Sequence, residues 1–232
     1  MNNYIKLIIA IIIMLIIGFI TKKQRRINKS PKLFYSTDQF PITKILEDNW
    51  ESIAKEYMKL PKDVMIKKNG RSKNSWYGDD NFNELVELHQ KKYGWINAWQ
   101  DKKNNVNNNW MNWGLYVDNK PLGYNSKLCP ITTSILSKIP GIHIAGFSVM
   151  KPNSMINPHT DTTGLKFNSM AYHLGLDVPN DGVCELFVDN KPMKEKNGKA
   201  FLFDATFLHY AKNTSKKYDR AILYIAFDLN YI

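Results

Sequence analysis

The sequence predicts a mainly β body with α additions: a jelly roll in the C-terminal half, braced by helices from the N-terminal half. Two observations lead there. After residue 141 the chain falls into short β-rich runs at near-even spacing, divided by turn signals such as Lys151-Pro152-Asn153-Ser154 and Asp189-Asn190-Lys191-Pro192. Before that point, apolar residues recur at helical spacing. A chain of 232 residues fits one compact domain with an appendage.

The appendage comes first. Leu7 to Ile20 is an unbroken apolar run, extended by Tyr4 and Ile5, with Lys6 able to snorkel toward headgroups. As a helix, Tyr4 to Ile20 would span about 25 Å, short but sufficient for a bilayer. A cleaved signal peptide is the rival reading. However, Gly18-Phe19-Ile20-Thr21-Lys22 leads straight into charge without a small-x-small cleavage site, which favours a retained signal-anchor transmembrane helix over residues 1–21. Basic residues cluster after the run, so the positive-inside rule expects a single-pass membrane protein with its body on the cytoplasmic side. Residues 22–38 read as a basic juxtamembrane linker and 39–232 as the folded body.

That cluster also explains the formal net charge of +11. Lys6, Lys22, Lys23, Arg25, Arg26, Lys29 and Lys32 contribute seven of these charges, with no acidic residue before position 33 to oppose them. The four that are left, spread over a whole domain without a recognised binding motif, exclude nucleic acid as the expected partner.

Within the body, Ile42, Ile45, Leu46, Trp50, Ile53, Tyr57 and Met58 predict one helix over Phe40 to Leu60, and Asn81 to Lys92 a shorter one, with a polar loop over Lys67 to Asp80. Asn104 to Asn109 reads as another loop, flanked by Trp95, Trp99, Trp110 and Trp113, whose expected role is packing. Pro130 to Ile139 is a short helix with proline in its first turn, closed by Pro140-Gly141. Strands are expected over Ile142 to Met150, Met155 to Asp161, Ala171 to Val178, Glu185 to Val188, Ala200 to Phe203, His209 to Lys212 and Ala221 to Leu229. Cys129 and Cys184 form no C-x-x-C motif. One disulfide or two core thiols both fit, the thiols better. Asn28-Lys29-Ser30 and Asn213-Thr214-Ser215 are formal glycosylation sequons.

The residues with chemistry begin at His159-Thr160-Asp161. In a strand, positions i and i+2 share a face, so His159 and Asp161 can grip one metal while His209 arrives from a distant strand. Two histidines and a carboxylate on one face of a metal, with open positions opposite, suit a non-haem Fe(II) oxygenase. The same spacing also arises by chance, with the histidines as hydrogen-bonded structural residues. Arg220 follows His209 by eleven positions. Its fork could bind the remote carboxylate of a dicarboxylate such as 2-oxoglutarate, or it could form a surface ion pair with Asp219 or Asp228.

Several ordered segments together resemble the aspartyl/asparaginyl β-hydroxylase family. These are Phe147-Ser148, Pro158-His159-Thr160, His173-Leu174-Gly175-Leu176, and Gly198-Lys199 leading to Phe203-Asp204, His209, Asn213 and Arg220. Cys129-Pro130-Ile131-Thr132 and Ile139-Pro140 extend the likeness, which covers roughly residues 110 to 230 and, more faintly, the helix around Trp50. The resemblance implies a cupin-like double-stranded β-helix oxygenase that consumes O2 and 2-oxoglutarate, with His159 and His209 as iron ligands. Arg220 matches the position that holds the distant carboxylate of the cosubstrate, and Ser148 and His173 match positions that help bind it. Without the family context, Ser148 reads equally as a loop-capping hydroxyl and His173 as a satisfied core histidine. His89 and His143 match nothing, and Asp204 is expected to shape the turn before His209.

Three departures qualify the likeness. Animal members place glycine at the position of Asp161, whereas others follow H-x-D, so Asp161 as the third ligand rests on the latter pattern. Members commonly carry arginine where this chain has Ala171. The helical repeats that present substrate in animal members do not fit before residue 110. The substrates implied are therefore the β-carbon of Asp or Asn in a peptide or protein, or, by likeness to bacterial lipid A hydroxylases, a lipid acyl chain beside the bilayer. A reading from another class is a non-catalytic, membrane-tethered jelly roll that binds a partner. Zinc-dependent hydrolysis is a lesser alternative, because no general base is evident beyond the ligands.

Overall fold

The computed structural model describes residues 32–66, 80–99, 106–161 and 169–228. The expected transmembrane helix and most of the basic linker lie outside these residues. Among the described residues, no helix is long and apolar enough to cross a membrane.

The body is a pair of antiparallel sheets. The larger runs in the order β1 (Phe34–Tyr35), β10 (Ala200–Phe203), β7 (Ser169–Asp177), β12 (Arg220–Asp228), β5 (Ile142–Met150), β3 (Val106–Val117) and β2 (Ile96–Trp99), with β4 (Lys120–Pro121) beside β3. The smaller runs β6 (Ser154–Met155), β11 (His209–Asn213), β8 (Cys184–Val188) and β9 (Lys191–Lys194). Every pairing within these strands is antiparallel.

The two faces of the large sheet do different work. Side chains alternate along a strand, so Tyr172 and Leu174 of β7, Phe147 and Val149 of β5, and Leu223 and Ile225 of β12 join the main core with Trp95 and Trp113. Helices α1 (Lys44–Asp48), α2 (Trp50–Lys59), α4 (Gly123–Lys127) and α5 (Pro130–Leu136) precede β5; Leu46, Ile53 and Tyr57 of the first pair and Ile135 and Leu136 of α5 complete that core. The opposite face carries Ala171, Met150, Phe201 and Phe203, which cluster with Leu186, Val188 and Ala211 of the small sheet. The functional groups lie in this second, thinner layer.

The helical braces are tied by buried polar contacts. Glu56 of α2 accepts from the Ile131 and Thr132 amides (2.7 and 2.8 Å) and the Thr132 hydroxyl (2.6 Å), satisfying amides at the start of α5 that have no partner inside the helix. Cys129 and Cys184 are separate buried thiols, with burial pushing them up to about 12 and about 11.

Several sequence expectations need correction. Phe40 to Leu60 is not one helix: a 3-10 turn at Pro41–Thr43 leads into α1, and the chain breaks at Asn49 (φ −113°, ψ 14°) before α2. Asn49 instead donates its side chain to the Ile45 carbonyl (2.8 Å), the local competition typical of Asn. The second expected helix forms as α3 (Asp80–Lys91), which at 12 residues is longer than either α1 or α2. The expected Asn-rich loop belongs in part to β3, and the N-terminal half thus supplies strands as well as helices. Met155 to Asp161 is strand only at Met155, the last residue of β6; beyond it, His159 makes an isolated bridge. Asp189 and Asn190 form a tight turn with φ of 47° and 61°, and Lys191 and Pro192 already belong to β9, an edge strand that tolerates proline.

Candidate metal centre

His159 and His209 are fixed opposite each other by the backbone. Each amide donates to the other's carbonyl, His159 to His209 at 2.9 Å and the reverse at 2.8 Å, so a segment without strand neighbours is clamped to the first residue of β11. Two residues on, the Asp161 amide donates to the Ala205 carbonyl (2.9 Å). Asp204 shapes the turn before His209 by accepting from the Thr206 amide and hydroxyl. The strand reading of His159 and Asp161 was wrong in detail, yet their shared facing survives because these bonds replace the ladder.

The side chains converge. His159 Nε2 lies 3.8 Å from Asp161 Oδ1, and His209 Nε2 lies 3.8 Å from Asp161 Oδ2. One donor atom from each of the three residues falls within 4.8 Å of the others. Bonds of about 2.0–2.2 Å to a shared ion reach donors up to about 4.4 Å apart, which covers both 3.8 Å pairs. Tautomers follow from the partners: His159 Nδ1 faces the Asn157 carbonyl (2.7 Å) and His209 Nδ1 the Phe207 carbonyl (2.9 Å). A carbonyl only accepts, so each Nδ1 carries the hydrogen and each Nε2 presents its lone pair to the carboxylate side. Burial, then the neighbouring His209, pushes His159 down to about 4, which keeps the imidazole neutral and able to ligate. The donor set therefore fits a divalent iron ion.

The structure adds Tyr224, which sequence reasoning missed. Its hydroxyl donates to Asp161 Oδ2 (3.3 Å), and burial, then the Asp161 charge, hold the phenol well above its usual range. Tyr224 faces inward from β12 opposite His173 of β7, so the period-2 pattern of β12 was its only sequence signal.

Ser148, His173 and Arg220 also reach this layer. Ser148 is buried and accepts from the Trp110 indole N–H (2.8 Å), giving that tryptophan a role at the site beyond packing. Ala171 is fully buried in the second cluster, opposite Phe203. Arg220 departs from both sequence readings. It is 1% exposed, and neither Asp219 nor Asp228 is its ion partner; Asp219 pairs with Lys151 at 2.9 Å. Arg220 Nε donates to Glu195 Oε2 at 2.5 Å and Nη2 donates to Glu195 Oε1, while His173 Nδ1 lies 2.9 Å from the same Oε1. Burial opposes the Glu195 charge, but Arg220 and His173 outweigh it and hold the carboxyl below its ordinary range. Burial lowers His173, with Glu195 opposing. Of the three residues expected around a cosubstrate, His173 and Arg220 meet on Glu195, whereas Ser148 bonds to Trp110, and the guanidinium fork is committed to an internal carboxylate. As arranged, it does not fit a second one.

Asn213 is buried, its carboxamide donating to the Met150, Lys151 and Tyr218 carbonyls, which removes it as a glycosylation acceptor in the folded protein. His89 and His143 lie outside the metal-ligand cluster.

A jelly roll with two histidines and a carboxylate convergent on its inner layer defines a candidate non-haem metal oxygenase. The chain belongs to the aspartyl/asparaginyl β-hydroxylase family: that family's model matches residues 47–229, reaching further toward the N-terminus than the motifs alone. The chain is similar to an uncharacterized protein of Acanthamoeba polyphaga mimivirus, 27% identical over 211 residues, 87% of this chain and 72% of that one. It is 36% identical over 105 residues to the ornithine lipid ester-linked acyl 2-hydroxylase of Rhizobium tropici, covering 44% of this chain and 36% of the relative. It is 32% identical over 108 residues to the aspartate beta-hydroxylase domain-containing protein 2 of Xenopus tropicalis, covering 44% of this chain and 28% of the relative.

Proposed function

We propose that this protein is an Fe(II)- and 2-oxoglutarate-dependent dioxygenase that hydroxylates a C–H bond, first of all the β-carbon of Asp or Asn side chains in a peptide or protein. The observation that supports it is the pair of Nε2 lone pairs aimed at one carboxylate, each fixed by a carbonyl behind the ring. When bound, iron supplies the oxidation: one atom of O2 enters the C–H bond and the other enters succinate as 2-oxoglutarate loses CO2. His159, Asp161 and His209 would hold the ion, with Tyr224 orienting the carboxylate. The Phe203 ring packs edge-on against His209, with centroids 5.3 Å apart, and gives that ligand an apolar neighbour.

The test is anaerobic Fe(II) titration followed by succinate production from 2-oxoglutarate and O2. His209→Ala should lose both metal and turnover while keeping the fold. Undiminished turnover in that variant defeats the assignment, and a protein that binds neither iron nor cosubstrate would instead be a binding module.

A second substrate class is a lipid acyl chain, favoured by the likeness to the Rhizobium tropici enzyme across 44% of this chain. Peptides and lipid extracts, each searched for a product one oxygen atom heavier, separate the two. In the same proposal the apolar run at residues 1–21 anchors the body to a bilayer on the cytoplasmic side. Release into the soluble fraction when those residues are deleted tests the anchor.

A further inference from the structure

Glu195 lies in the short segment between β9 and β10, amid Lys194, Lys196 and Lys199, where local sequence suggests a solvated surface. It is nevertheless 2% exposed. Its backbone is seated at both ends: the Glu195 amide donates to the Cys184 carbonyl (2.9 Å), and the Lys196 carbonyl presses on Gly175 of β7, where an added Cβ would lie 2.2 Å from it. Further bonds run from the Gly175 amide to the Lys199 carbonyl and from the Gly198 amide to the Gly175 carbonyl. A residue larger than glycine at 175 would lift this strap off the sheet and withdraw the carboxylate from the interior. The strap therefore delivers a fixed anion to Arg220 and His173, and both of its oxygens are used.

We infer that Glu195 is a resident carboxylate in the cosubstrate pocket, holding Arg220 in the place of the distal carboxylate of 2-oxoglutarate, so that the protein discriminates weakly between dicarboxylate and monocarboxylate 2-oxo acids. The inference rests on the oxygenase reading above. The guanidinium carries one positive charge, and Glu195 already balances it in a dry site. A second carboxylate there meets a like charge at close range, where weak screening makes repulsion strong. A 2-oxo acid without a distal carboxylate meets no such opposition. Breaking a buried ion pair leaves an uncompensated charge, so the pair resists displacement by the incoming acid.

The experiment is calorimetric binding of 2-oxoglutarate and of 2-oxobutyrate to the iron-loaded full chain without O2. In the wild type the two Kd values should agree within roughly threefold, since the arginine adds little net attraction for the extra carboxylate. Glu195→Gln keeps the shape and frees the charge. It should tighten 2-oxoglutarate by about tenfold or more, and leave 2-oxobutyrate within about twofold. A wild type that prefers 2-oxoglutarate by about a hundredfold overturns the inference, and this reading needs no variant. An unchanged or weakened 2-oxoglutarate affinity in Glu195→Gln overturns it as well, the latter making Glu195 a positioning residue for Arg220. If the wild type binds iron and releases succinate in either case, only the Glu195 inference falls. Absence of iron binding and of succinate overturns the oxygenase reading along with it.

Discussion

Lowering the pH should destabilise the metal-free protein through one histidine in a defined window. Burial and the nearby His209 take His159 from 6.5 down to about 4. As pH falls through 6.5 the unfolded imidazole gains a proton, while the folded one stays neutral until about 4. Protonation therefore favours the unfolded chain: His159 costs nothing above pH 6.5, and stability falls as pH drops from there to about 4. Over the whole window the loss is about 3 kcal/mol, at about 1.36 kcal/mol per pH unit. By pH 5 it has reached about 2 kcal/mol. Only a small part of the ring meets solvent, so screening takes little from that figure. The assay is urea unfolding of chelator-treated protein at pH 7.5 and pH 5, alongside His159→Asn, which cannot titrate. The stability difference between the two proteins should shift by about 2 kcal/mol in favour of the variant at pH 5. Carboxylates that titrate in both proteins cancel in this comparison. Parallel stability curves across the window would refute the reasoning.

Three further outcomes are expected. Tyr224→Phe removes the hydroxyl that orients Asp161, and anaerobic titration should show iron bound about tenfold more weakly; equal affinity would mean the contact is idle. Glu56→Ala strands two amides and a hydroxyl at the start of α5, and should cost about 2–4 kcal/mol in denaturant unfolding; an unmoved midpoint would show that these contacts add nothing to stability. Gly198→Ala combines a φ of +68° with a Cβ 2.7 Å from the Trp50 ring and should cost about 1–3 kcal/mol; a thermal melt that does not move would show that α2 yields easily.

How far the sequence revealed this arrangement depends on what each strand faces. Arg220–Asp228 was legible because Ala221 to Phe227 is a nearly continuous apolar run, as expected of a strand buried on both faces. Val106–Val117 was not. Trp110 and the Ser148 it contacts face the site while Met111, Trp113 and Leu115 enter the core, and asparagines at 107–109 hide the alternation behind what looks like a loop. The ligand triad was legible as residue types and spacing, although its local geometry comes from a cross-chain clamp and not from a strand. The departure at Arg220 had no local signal at all. Its partner is 25 positions away in a lysine-rich segment, and only the close approach of Lys196 to Gly175 turns that carboxylate inward.

The division between the two faces of the large sheet has a consequence for separating stability from chemistry. Glu56, Trp113 and Leu223 serve the helix-covered core, whereas Tyr224 and Arg220, on the same strand as Leu223, serve the inner layer. Adjacent residues of β12 thus point to opposite tasks, and a one-residue change of register would exchange them. Continuous antiparallel pairing of β12 with β5 from Arg220 to Ala226 fixes that register, so Arg220 stands across from Met150 and Ile222 across from Ser148. The helical brace therefore acts on the site without touching it: by burying Phe147, Val149, Leu223 and Ile225, it holds the intervening residues of the same strands toward the ligands. Loosening that core should blur the site before the ligands themselves are altered.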